Sequence, residues 1–381
     1  MPRAAFFFVV LGLSVAGDSS CLRAVDSSPR SAPSRPIPPP PAVEPPPKPL
    51  PPKPRASAPA VPAPKARGAE AEPAPKVAAT PSVTYIGGKE VARALHLTPT
   101  WDARTRRLTL ADATTRLVLE LDNREMELNG KRVFLSAPTA LRNRELAVSH
   151  IDFQRLLTPA IRPGQGAVLP PAVKTIVLDP GHGGRDTGKV NSRVNVVEKD
   201  MTLDTARRVK TSLEAAGFKV VLTRNDDRFL SLADRTEIST RAGADLFISL
   251  HYNAVEAEAE RVTGVEVYTM TPQYQLSTDR RPDDQVPVFN PGNFHDHWNV
   301  VLGVALHRSL LQTLKVPDRG LKRGRYAVLR LARCPAVLIE AGFLSHDGEA
   351  RRVASPEYRQ QIADAVVAGI KSYVASVRAT D

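Results

Sequence analysis

From Val173 onward the chain alternates short apolar runs with amphipathic stretches. Ile176-Val177-Leu178 reads as a buried strand that stops at Asp179-Pro180, where proline lacks an N–H and has a fixed φ. Met201–Ala216 places apolar residues at 203, 206, 209 and 213, one face of a helix, and Gly217 stands where a C-terminal cap belongs. Lys219–Thr223 is a strand and Leu232–Ala242 a second helix. Ala244–Leu250 (ADLFISL) is a buried strand running straight into His251. Gly264–Tyr268 is a further strand, Val300–Leu314 a helix, Ala336–Ile339 the last core strand and Asp364–Val377 the closing helix. This alternation predicts an α/β domain over 173–378, with a mostly parallel or mixed sheet flanked by helices.

Upstream the pattern differs. Residues 106–112 (RRLTLAD) and 116–123 (RLVLELDN) alternate with period 2, and Asn129-Gly130 marks a hairpin turn between Met126–Leu128 and Arg132–Leu135. Short helices are expected at 91–95 and 149–157, so 83–160 reads as a small α+β module. A Gly/Pro linker, 161–171, follows it. His96 and His150 are isolated there, which fits packing or surface roles better than a metal cluster.

Residues 29–81 hold 20 of the 35 prolines. Such a stretch cannot bury a core and is expected to run as a disordered, extended polyproline spacer over 21–82. At the start, Arg3 precedes Phe6–Ala16, an apolar run too short to span a membrane but suited to an export signal over 1–20. Ser19-Ser20-Cys21 partly matches a lipoprotein cleavage box, with Asp18 where an aliphatic residue is usual. The chain is therefore expected in the periplasm or cell envelope, with lipid attachment at Cys21 as a variant of that reading.

Charge narrows the partners. The formal net charge of +12 suits an anionic polymer or surface: nucleic acid, membrane or an acidic wall polymer. Two cysteines, Cys21 and Cys334, give no disulfide framework, and Cys334 in its apolar run reads as a small buried residue.

The candidate chemistry collects at strand ends. His182 lies in the glycine-rich turn after the 176–178 strand, at the sheet edge where α/β folds keep their sites. His251 ends the ADLFISL strand, Glu340 ends AVLI, and Glu198 precedes a helix. Two histidines and a carboxylate meet the count for a catalytic zinc site with an open position, and a further carboxylate can carry protons. No HExxH or HxxEH helix motif occurs, so spacing alone does not select which groups meet. Each keeps a plainer reading: His182 as a loop histidine, His251 as a core histidine, Glu198 as a carboxylate favoured by a helix dipole.

The segments LDPGHGG, EKD, SLHYNA and VLIEAGFLS occur in this order over 173–378 and resemble those of the zinc-dependent N-acetylmuramoyl-L-alanine amidases of the amidase-3 type. The resemblance implies zinc held by His182, Glu198 and His251, with Glu340 as catalytic acid/base. Burial at an apolar strand end is expected to raise the pKa of Glu340. Asn253, two residues past His251, is expected either to orient the substrate or a metal ligand, or to serve as a turn residue. The module at 83–160 resembles the small domain first named from the N-terminal region of copper amine oxidases. Together these imply hydrolysis of the muramoyl–L-alanine amide of peptidoglycan during wall remodelling or cell separation. Peptidoglycan is then the partner, rather than nucleic acid. A protein activator stays open, and no transmembrane helix is expected once the signal segment is removed. The rival readings are a non-catalytic peptidoglycan-binding protein of the same fold and a zinc peptidase cutting another wall-peptide amide.

One stretch departs from the family pattern. Residues 270–298 form a long, polar, proline-broken stretch, read as a cleft-lining loop rather than an inhibitory helix. It holds His295 and His297, a weaker metal-ligand pair. Arg224 and Arg235 read as structural ion-pair partners of Asp226 or Asp245. His307 and His346 read as surface residues.

Overall fold

The computed structural model describes residues 83–170, 172–278 and 288–379. The expected signal segment, the proline-rich spacer and Cys21 lie outside them.

The backbone of the fold is a mixed sheet. Its parallel part runs, in spatial order, through Lys219–Leu222, Thr175–Pro180, Leu246–Asn253 and Ala336–Phe343. Val265–Met270 then adds antiparallel to Ala336–Phe343, and Asp318–Gly324 adds parallel to Val265–Met270. The inner strands are buried on both faces: every residue of Thr175–Pro180, Val265–Met270 and Ala336–Phe343 is buried. That is why they read as continuous apolar runs rather than alternating ones.

Glu198–Ala215 and Asp296–Leu314 pack on the sheet, and Pro356–Arg378 packs against both of these helices. Leu203, Ala206, Val209 and Leu213 form the buried stripe of the first, as their spacing predicts. Gly217 follows that helix at φ +89°, the left-handed position of a C-cap glycine. Cys334 is buried, and burial pushes its thiol up to about 12.

The module folds as its pattern predicts, with one surprise. Strands Thr98–Asp102, Arg107–Ala111, Arg116–Glu120, Glu125–Leu128 and Lys131–Phe134 form an antiparallel meander. Asn129 and Gly130, at φ +52° and +71°, make its last tight turn. The last strand does not end the sheet. Val133 pairs in parallel with Leu321, so the meander and the α/β half share one 11-stranded sheet among the described residues. Buried apolar residues of both halves likewise form one continuous core.

Polar groups fasten this seam. Asp318 accepts from the Arg132 backbone N–H at 2.8 Å and lies 2.8 Å from His307 Nε2. His307 is thus 2% exposed, not a surface residue as its helix position suggested. The linker after the module packs too: His297 Nε2 lies 2.7 Å from the Pro163 carbonyl oxygen, and Trp298 Nε1 donates to that of Val168. His346, expected on the surface, is half-buried and accepts from the Glu349 N–H as a helix N-cap.

Asp318 also supplies a pH signature. Burial alone would raise its carboxyl, but the His307 contact and the backbone N–H groups hold it below the usual carboxylate range. A depressed folded-state pKa contributes stability above the unfolded value of ~3.9, lost as pH falls through the folded one. Asp318→Asn is therefore expected to be less stable than the parent near neutrality, with the gap closing in acid. Urea unfolding from pH 7 down to pH 3 measures it, and a gap that does not narrow would remove the role given to the charge.

Candidate metal centre

The site begins with a buried carboxylate. Asp179, 0% exposed at the end of its strand, accepts from Thr223 Oγ1 at 2.7 Å, Ser249 Oγ at 2.9 Å and Arg235 Nη1 at 2.8 Å. Three other elements are thereby pinned to one strand end. Arg235 also donates to the carbonyls of Pro180 and His182, and Arg224 to those of Pro180, Gly181 and Lys199. Both guanidinium groups are almost fully buried. Their partners differ from the sequence reading: Asp179 and turn carbonyls replace the carboxylates of Asp226 and Asp245. Asp226 pairs with Arg228, and Asp245 accepts from the backbone N–H groups of Lys174 and Thr175.

The clamped turn holds His182 at φ +61°, a left-handed conformation uncommon outside glycine. Its neighbours need to be small. A Cβ on Gly181 would fall 2.2 Å from the His251 ring, and one on Gly188 2.6 Å from both His182 and Glu198.

Three donor atoms converge there. His182 Nε2 lies 2.9 Å from Glu198 Oε1, His251 Nδ1 lies 3.1 Å from the same oxygen, and the two ring nitrogens are 3.1 Å apart. Glu198 is the first residue of its helix, and its Oε2 accepts from the Lys189 N–H. Burial would push its carboxyl up, yet hydrogen bonds from both histidines hold it well below the usual range. Burial lowers His182, but Glu198 and Asp186 outweigh it and raise the net value.

The donor set fits a cation. A tetrahedral zinc with ~2.1 Å bonds would separate ligand atoms by about 3.4 Å, slightly more than observed here. Two ring nitrogens 3.1 Å apart need a shared proton, and a cation can take the place of that proton. The second nitrogen of His182 is already committed: Nδ1 lies 2.9 Å from Asp186 Oδ1, the carboxylate–histidine pairing that orients metal-ligating imidazoles. Sequence reading missed Asp186. The signal was present, because a carboxylate four residues beyond His182 across a Gly-Gly turn can fold back on it.

Glu340 lies in the adjacent strand, paired directly with His251 and 9% exposed. Both strands run further than their apolar runs predicted, so His251 and Glu340 sit within strands rather than at their ends. His182, Asp186, His251 and Glu340 line one cleft of about 900 Å³. Ser277, Val288 and Asn290 from the 270–298 stretch line the same cleft. Arg124 of the module donates to the carbonyls of Leu276 and Ser277, bracing that wall. Asn253 donates to buried Glu266, which also accepts from Arg319, Lys322 and Tyr268. His295 and His297 do not join the cluster, and His96 and His150 remain apart.

Fold and site together define a class: an α/β protein with a His–Glu–His cation-type centre at the carboxyl edge of a mixed sheet. The N-acetylmuramoyl-L-alanine amidase family matches residues 176–372, just over half the chain, and the chain belongs to that family. The copper amine oxidase N-terminal domain matches residues 67–154. Among relatives, an uncharacterized Bacillus subtilis protein, YqiI, is 33% identical over 217 residues, covering 57% of this chain and 93% of its own. The B. subtilis N-acetylmuramoyl-L-alanine amidase LytC is 32% identical over 200 residues, covering 52% of this chain but only 35% of its own. Among solved structures, the amidase AmiC2 of Nostoc punctiforme is 32% identical, covers 53% of this chain and 97% of its own, and has a TM-score of 0.44.

The clamp beneath the site yields a stability test. Removing one partner of a buried pair leaves an uncompensated charge, which costs about 3–5 kcal/mol. Asp179→Ala is expected to destabilise by that order and to lower the thermal midpoint by several degrees or more. A variant of parental stability in denaturant titration would show that the carboxylate is not what fastens the turn.

Proposed function

We propose that this chain is an exported zinc amidase hydrolysing the amide between N-acetylmuramic acid and L-alanine in peptidoglycan. One observation carries the reading: the nitrogens of His182 and His251 and an oxygen of Glu198 converge on one point in a cleft that Glu340 also lines. His182, Glu198 and His251 would hold the zinc, leaving a position open toward the cleft. When bound, zinc supplies Lewis acidity toward the scissile carbonyl and lowers the pKa of water. Glu340 accepts a proton from the attacking water as its oxygen bonds to the muramoyl carbonyl carbon. It then delivers that proton to the L-alanine nitrogen as the C–N bond breaks. The products are a free muramic carboxyl group and a peptide with a free amine. Asp186 fixes the His182 ring so that Nε2 faces the centre.

Family membership supports the reaction class. Residues 1–20 as an export signal and Cys21 as a lipid site belong to the same reading, in which the enzyme works in the periplasm or envelope. Among the described residues no helix is long and apolar enough to cross a membrane.

Full-length protein with purified muropeptides provides the test. With zinc, mass spectrometry is expected to find peptide beginning at L-alanine, and a chelator is expected to abolish it. Cleavage between amino acids instead would overturn the substrate. No cleavage by zinc-loaded protein across several muropeptides would overturn the enzyme. Glu340→Gln is expected to lower kcat at least 100-fold while zinc content and muropeptide binding persist. Asp186→Asn is expected to weaken zinc roughly 10–100-fold, read by competition against a chromophoric chelator. Parental affinity there would leave Asp186 with no part in orienting the ring.

A further inference from the structure

The cleft wall formed by 323–330 carries three guanidinium groups: Arg323, Arg325 and Arg330. Two are engaged with backbone. Arg323 donates to Thr269 Oγ1 and to the carbonyls of Met270 and Arg155. Arg325 donates to the carbonyls of Pro272 and Gln275. Arg330 is different. It is half-buried in the cleft, and its guanidinium enters no hydrogen bond, ion pair or ring contact among the described residues.

Its backbone is nevertheless held firmly. Arg330 lies on the short helix Ala327–Leu331, anchored by Val328 and Leu329, both buried. The turn Pro291–His295 packs so closely that a Cβ on Gly292 would fall 2.0 Å from the Leu329 carbonyl oxygen. Three acids share the cleft: Asp179 is committed to Arg235, Asp186 to His182, and Glu340 lies in the strand position paired with His251. A closely packed backbone presenting a forked cation without a partner is a recognition element for a planar anion.

We infer that Arg330 binds a free carboxylate of the stem peptide and so selects acidic over amidated peptides. The inference rests on the amidase reading, and substrate chemistry then orients the cleft. In the muramoyl–L-alanine amide the muramic carboxyl is consumed, so free carboxylates occur only on the peptide side. Arg330 therefore marks the end that receives the leaving peptide, and the glycan lies toward the other end. Discrimination by such a group arises because the amidated competitor leaves the guanidinium without its counter-charge.

Two synthetic muropeptides decide it, identical except that the stem-peptide carboxylates are free in one and amidated in the other. Calorimetric titration uses full-length zinc-loaded Glu340→Gln, which is expected to bind the free acid roughly 10–100-fold more tightly. Adding Arg330→Gln is expected to bring the ratio to about one, and Arg330→Lys to restore part of it. Equal binding of both peptides by the Glu340→Gln protein, or a ratio that survives Arg330→Gln, overturns the inference. Should Arg330→Gln fail to fold, the parental ratio and the lysine variant decide. Hydrolysis of the same pair by the unaltered protein reads the amidase proposal separately: a binding preference without cleavage would sink that proposal and leave Arg330 standing.

Discussion

Everything at the site depends on one buried carboxylate and the two arginines around it. Asp179 ends a strand inside the protein, where an ionised group survives only if paired and hydrogen-bonded. Thr223, Arg235 and Ser249 meet that need from just past the neighbouring strand Lys219–Leu222, from a helix and from a second strand. Because Arg235 reaches on to the His182 carbonyl, the charge that satisfies Asp179 also sets the direction of the turn. Arg224 does the same for Gly181 and the start of the Glu198 helix. The left-handed backbone of His182 is thus over-determined, which is the condition under which such strain persists.

From that clamp the geometry follows in short steps. The turn brings Nε2 of His182 against Glu198, and strand pairing brings His251 and Glu340 side by side without any loop to adjust. Two of the four groups ride on sheet strands and one on the first turn of a helix, so only His182 needs special fastening. It receives two tethers, backbone through the arginines and ring through Asp186. Precision therefore comes from rigid elements where they suffice and from buried polar contacts where they do not.

Much of this was legible in the sequence, for identifiable reasons. The inner strands bury both faces, so they appear as uninterrupted apolar runs, and the helix at 198–215 shows its stripe at 203, 206, 209 and 213. Where the reading stopped short, polar residues had been buried with partners far away in sequence. Asp318–Gly324 (DRGLKRG) carries four charges and was not read as a strand, yet Leu321 to Gly324 are buried. Lys322 is answered by Glu266, and Arg323 by carbonyls. His307 was misplaced on the surface for the same reason, since its partner Asp318 belongs to that unread strand. Asp179 illustrates the limit within the site itself. Its sequence neighbours announce a strand end, but nothing local announces Arg235, 56 residues away.

The unread strand also changes what the N-terminal module is. A module joined by a Gly/Pro linker looks independent, and the proline-rich stretch before it strengthens that impression. Yet Asp318–Gly324 offers one edge to Val265–Met270 and the other to Val133, so the strand that continues the α/β sheet also receives the meander. An open edge there would be a site for unwanted pairing, and the module covers it. The same strand runs directly into the 323–330 wall of the cleft. Arg323 reaches back to the Arg155 carbonyl, and Arg124 holds the carbonyls before the 279–287 segment. The module therefore bears on the shape of the cleft through covalently continuous, hydrogen-bonded backbone. Among the described residues it is the foundation of one wall of the cleft.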